Sequence, residues 1–138
     1  MTYHQALDEY RQVGKGTGAT YADPHQLIQL LYDGALDRLA QAQGAFEADM
    51  VGDCNRLVSE VIGIVEGLDG CLDREAGGEL AANLHELYIY VIRRLLLGNL
   101  NNELGDAVQE SAELLRELRE AWALIPVDER GIQTDAVG

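Results

Sequence analysis

A chain of 138 residues that is 47% apolar has material for one domain with its own core, and too much apolar content for wholesale disorder. Its 24 acidic and 10 basic residues give a net charge of −14, which repels phosphate backbones and anionic lipid, so neither nucleic acid nor membrane is expected as a partner. No uncharged apolar run approaches the roughly 18 residues that would span a bilayer, and the start MTYHQALDEY lacks the basic patch and cleavage site of a secretory signal, so a cytoplasmic location is expected.

The opening residues, about Tyr3 to Val13, read as a short helix capped by Thr2, with a thin stripe of Tyr3, Leu7 and Tyr10 that is too weak to stand alone in water. GKGTGAT, Gly14 to Thr20, follows as a flexible linker. Residues 1–20 are therefore expected to be a capping segment on a tether, residues 21–125 a helical bundle and residues 126–138 a disordered tail. The first long helix opens at DPHQ, with Asp23 as N-cap and Pro24 in the first turn, and runs to about Ala48. Leu27, Leu31, Ala35, Leu39, Ala42 and Phe46 make its buried stripe. Asp53 is expected to cap the second helix, which buries Leu57, Val61, Ile64, Val65, Leu68 and Leu72. DREAGG, Asp73 to Gly78, reads as a turn. The third helix covers about Glu79 to Leu100, with Leu80, Leu84, Leu87, Tyr88, Val91 and Leu95 inward. Asn101 or Asn102 is expected to cap the fourth, whose inner stripe holds Leu104, Ala107, Val108, Ser111, Leu114, Leu115, Leu118 and Trp122, and Pro126 stops it. Four amphipathic helices joined by short turns predict an all-α fold, an antiparallel four-helix bundle with a short N-terminal helical segment.

Enzyme chemistry finds no foothold. Di-iron bundles need Glu-x-x-His pairs, and none of His4, His25 and His85 has a glutamate three residues before it. His85 is followed by ELYIY, without the lysine of a phosphotransfer helix, and reads as a half-exposed bundle residue. His25, in a first helical turn where an imidazolium is disfavoured, reads as a neutral packing or capping residue. GKGTG lacks P-loop spacing, and both serines, Ser59 and Ser111, are mid-helix. Cys54 and Cys71, 17 positions apart on one helix, lie about 25 Å from each other and do not pair. No catalysis, cofactor or metal is expected.

The third helix is apolar on more than one side. Ile89, Ile92, Leu96 and Leu100 form a second stripe well away from the core face, and Tyr90 and Leu97 add surface on the other flank. A bundle of four helices has no central helix, so part of this stripe is expected to line a groove for another chain. The tethered opening segment is a candidate to dock there until a better ligand displaces it.

YADPHQLIQLLYDGALDRLAQA and GGELAANLHELYIYVIRRLLLGNL, with the early YRQV and the closing LLRELREAW, resemble the FliS family of flagellin-specific export chaperones over about residues 3–125. Tyr10 matches the family's N-terminal tyrosine, and Tyr88, Tyr90, Ile92, Arg93, Arg94, Leu96 and Asn99 match its third-helix run. Ile89 stands where the family often has a polar residue. The resemblance implies a cytosolic bundle that binds the disordered C-terminal region of flagellin, prevents premature polymerisation and delivers the cargo to the flagellar export gate. The expected partner-binding residues are Leu7, Tyr10, Ile89, Tyr90, Ile92, Arg93, Leu96, Asn99 and Leu100. The rival expectation is a homo-oligomeric interaction or regulatory module in which the second stripe pairs two copies into a homodimer without cargo.

Overall fold

A computed structural model of the chain describes residues 24–124. Four helices follow one another: α1 Pro24–Glu47, α2 Val51–Gly70, α3 Arg74–Leu100 and α4 Leu104–Leu124. Each packs on its neighbour in sequence, and α4 closes back onto α1, so the four stand in an antiparallel ring. The expected bundle is therefore observed. The expected opening helix with Leu7 and Tyr10, the Asp23 cap, the Gly-rich linker, the Pro126 stop and the C-terminal tail lie outside the described residues.

The core follows from helical spacing. Leu31, Leu39 and Ala42 of α1, Val61, Ile64, Val65 and Leu68 of α2, Leu84, Tyr88, Val91 and Leu95 of α3, and Val108, Leu115 and Trp122 of α4 are all buried. Leu80 and Leu87, and Leu114 and Leu118, sit at the margin rather than inside. Both cysteines are buried. One polar pair crosses the centre: the Tyr32 and Tyr88 hydroxyls lie 2.6 Å apart, joining the diagonal helices α1 and α3. Burial pushes the Tyr32 phenol up to about 12 against the opposing effect of its bond to Tyr88. Burial, then the neighbouring Tyr32, pushes Tyr88 upward as well.

Phe46 is a correction to the expected core. It is exposed, because α1 runs past the core there and the ring lies across the open backbone of Gly105, where a Cβ would stand 2.6 Å from the ring.

The turns differ from expectation in instructive ways. α2 starts two residues before Asp53, at Val51; Met50 takes the N-cap position without a side-chain bond, and Asp53 sits in the first turn, where a carboxylate suits the helix dipole. Neither Asn101 nor Asn102 caps α4. They close α3 instead: Asn102 takes φ 61, and the amide of Glu103 donates to the Gly98 carbonyl at 2.8 Å. The end of α1 is built the same way, with Asp49 at φ 60 and the Met50 amide donating to the Ala45 carbonyl at 2.8 Å. Both are left-handed closures in which a short polar residue replaces the usual glycine.

The expected turn at 73–78 is half helix. Asp73 caps α3 by accepting from the amides of Glu75 and Ala76 at 3.2 and 3.1 Å. One turn later Gly78, at φ 52 and ψ −127, kinks the helix, a conformation open to glycine almost alone.

Candidate partner-binding surface

Two side-chain pins set the flanks of α3. On one flank His85 Nδ1 lies 2.6 Å from Asp69 Oδ1 of α2 and 2.8 Å from the Arg74 guanidinium. One ring nitrogen cannot donate and accept at once, so these are alternative bonds, chosen by where the imidazole carries its proton. His85 is half-buried, as its sequence context suggests.

On the other flank Arg94 bridges α3 to α4. Its Nε donates to Glu110 at 2.9 Å and its Nη1 to Glu103 at 3.1 Å, while the Tyr90 hydroxyl donates to Glu110 at 2.7 Å. These bonds from Tyr90 and Arg94 hold the Glu110 carboxyl below the ordinary carboxylate range. The same carboxylate bond raises Tyr90. Lower down the helices, Gly98 faces Ala107, where an added Cβ would stand 2.8 Å from the alanine methyl. The α3–α4 seam is thus closed by a close backbone approach and a charged clasp.

The α2–α3 seam is different. Antiparallel packing registered by Asp69 and His85 puts Ile62 level with Ile92, Val58 level with Leu96 and Cys54 level with Leu100. Ile62 and Ile92 are half-buried and pack on the core. Beyond them the apolar line runs into solvent: Leu96 is 53% exposed and Leu100 79%. The second stripe is therefore split: Ile89 and Ile92 are half-buried, and its last two residues are uncovered.

The other expected residues fall into place around this line. Ile89, Tyr90 and Arg93 line a shallow hollow of about 300 Å³ with His85 and Glu86. Arg93 is exposed and makes no ion pair among the described residues, whereas Arg94 is spent on this chain's own carboxylates. Asn99 is exposed beside Leu100. Leu7 and Tyr10 lie outside the described residues. The structure adds a feature that the sequence reading missed, a hollow of about 450 Å³ between α1 and α4 lined by Leu36, Ala40, Gln43, Val108, Ala112 and Arg116. It lies on the opposite side of the ring from the α2–α3 seam. Its signal was weak: alanines and half-buried leucines at the edge of two core stripes, which periodicity assigns to the core margin.

Among the described residues no group of three or more His, Cys, Asp or Glu is placed to hold a metal ion, and no helix is long and apolar enough to cross a membrane. The His25 ring lies beside Trp122, centroids 5.9 Å apart and tilted by 37°, in keeping with the packing alternative of its expected role.

Among the described residues, then, the structure is a ring of four helices pinned by cross-helix polar bonds, with exposed leucines left over on α3. Comparison with known proteins gives its class. The family model "Flagellar protein FliS" matches residues 6–129, and the chain belongs to that family. It is similar to the flagellar secretion chaperone FliSB of Pseudomonas aeruginosa, 43% identical over 118 residues covering 86% of this chain and 93% of the relative. It is also similar to the flagellar secretion chaperone FliS of Salmonella typhimurium, 44% identical over 120 residues covering 86% and 88%, and to that of Escherichia coli, 37% identical over 114 residues covering 82% and 83%. These relatives are named as chaperones, in keeping with the expectation that the chain is not an enzyme.

Proposed function

We propose that this protein is a cytoplasmic flagellar secretion chaperone that binds the disordered C-terminal region of flagellin, keeps it from polymerising early and hands it to the export gate. The observation that carries the reading is the uncovered Leu96–Leu100 line on the α2 side of α3, in a chain that belongs to the FliS family. Covering an exposed leucine contributes about 1.5–3 kcal/mol. An amphipathic cargo helix laid along Ile89, Ile92, Leu96 and Leu100 meets that surface by helix-in-groove recognition, with Arg93 and Asn99 at its polar edge and Tyr90 on the far margin. The α1–α4 hollow on the opposite side supports a cargo that wraps the bundle, which suits a disordered chain because a long interface offsets its ordering cost.

Calorimetry of the full chain with the last 40 or so residues of the host's flagellin tests this. Tight binding is expected, and Leu96→Asp should weaken it more than about tenfold with helix content unchanged. Unchanged affinity in Leu96→Asp would remove the groove from the account. Solution mass with and without the flagellin segment separates the rival homodimer, since cargo should dissociate a dimer that uses the same groove.

A further inference from the structure

The turn between α1 and α2 and the turn between α3 and α4 stand at the same end of the ring, as the Phe46 ring over Gly105 shows directly. That end carries an apolar collar. Phe46, Leu97 and Leu100 are exposed there, together with Met50 at 52% and Val51 at 61%. Exposed residues at helix ends are ordinarily polar, because nothing in the fold asks for an apolar side chain outside the core. The collar is held on a stiff frame, since both turns end in closed left-handed caps.

The rim of the collar is acidic. Glu47, Asp49 and Asp53 surround the first turn, and Glu103 and Asp106 flank the second. The two arginines nearest in sequence are already engaged, Arg56 with Glu60 and Arg94 with Glu103 and Glu110. Two such collars brought together would set Glu47, Asp49, Asp53 and Asp106 against the same carboxylates of the other copy, so a second copy of this chain is a poor occupant. An anionic membrane is a poorer one.

We infer that this end of the bundle is a second docking surface, separate from the cargo groove, for a protein segment with aliphatic anchors flanked by lysine or arginine. The charge around an apolar patch selects that chemistry: anchors fill the collar, and cations meet the rim. The α2–α3 groove differs in charge, since Arg93 stands at its edge beside Glu86. Leu100 stands at the boundary between the two surfaces. The inference rests on the chaperone reading only for the word cargo; the surface itself is a property of the described fold.

The test is fluorescence anisotropy with the full chain and a dye-labelled 14-residue peptide of leucine and lysine at helical spacing, with a leucine–glutamate version as control. It is run with and without a saturating flagellin C-terminal segment. The leucine–lysine peptide should bind at low salt in both cases, and the control should not. Met50→Glu/Val51→Glu should weaken binding about tenfold, although it adds negative charge; general attraction to an acidic protein predicts the opposite. Asp49→Asn/Asp53→Asn should weaken it about threefold and flatten its salt dependence, and asparagine suits the left-handed position 49. Should the Met50→Glu/Val51→Glu chain fail to fold by circular dichroism, Leu97→Glu carries the same test from α3. Equal binding to the collar variants, equal binding of the control, or loss of the peptide on cargo saturation would each overturn the inference. If the flagellin segment itself does not bind, the chaperone reading falls, and the measurement on the free chain still decides the collar.

Discussion

Replacing Tyr32 with phenylalanine removes one oxygen from the middle of the bundle. The Tyr88 hydroxyl, buried and 2.6 Å from the missing atom, then has no replacement bond from water. Stranding a buried hydroxyl costs about 1–3 kcal/mol, which in a chain of this length lowers Tm by about 3–5 °C for each kcal/mol. Tyr88→Phe should cost a similar amount. Tyr32→Phe/Tyr88→Phe should cost less than either single change, because no polar group is left unpaired, and the shape of both rings is kept. The assay is urea denaturation followed by circular dichroism on the four proteins at pH 7, read as a double-mutant cycle. The cycle has a second arm at high pH. Tyr32 ionises in the unfolded chain near 10 but in the fold only at about 12. The unfolded state therefore gives up its proton first, and the stability that this phenol contributes, complete below pH 10, is lost as pH rises toward 12, by roughly 2–3 kcal/mol. The doubly substituted chain lacks that loss. Single substitutions that cost under about 0.5 kcal/mol, or a double substitution that costs their sum, would refute the claim that the two hydroxyls depend on each other.

The two special glycines of α3 separate space from backbone. Gly98→Ala presses a methyl into Ala107 and should cost about 1–3 kcal/mol in chemical denaturation. Gly78→Ala meets nothing within 4 Å but must hold φ 52 and ψ −127, so it should cost about 1–3 kcal/mol through strain alone, or straighten the kink, which a shift in the amide signals around Asp73 would report. Asp73→Ala removes the cap that holds two amides and should lower stability by about 1 kcal/mol by the same measurement. Ile92→Asp, unlike Leu96→Asp, should lower Tm as well as cargo affinity, because Ile92 packs on the core.

The fold was legible because four apolar stripes of period near 3.6 leave little choice of architecture, and the buried positions of α2 follow the stripe closely. Helix ends were less legible. Phe46 continues the α1 period, yet the stripe outlasts the neighbours able to cover it, and only the glycine at 105 on another helix decides where the ring rests. Asn102 is ambiguous in sequence because asparagine serves equally at the start of a helix and in a left-handed close; the bond from Glu103 back to Gly98 decides for the close. At the candidate site the periodicity separated Leu96 and Leu100 from the core correctly. It could not divide Ile92 from them, since that depends on Ile92 packing against the assembled core, which Leu96 and Leu100 do not. The Tyr90–Glu110–Arg94 clasp and the Tyr32–Tyr88 pair join residues 16 to 56 positions apart, and no local pattern announces them.

An even number of alternating helices brings the chain back to its starting level. Pro24 and Leu124 thus leave the ring on the side opposite the two closed turns. A circularly permuted version, opened between Asn101 and Glu103 and joined across the old ends, would keep all four helix pairings. It would cut through the apolar rim while leaving the long seam between α2 and α3 whole.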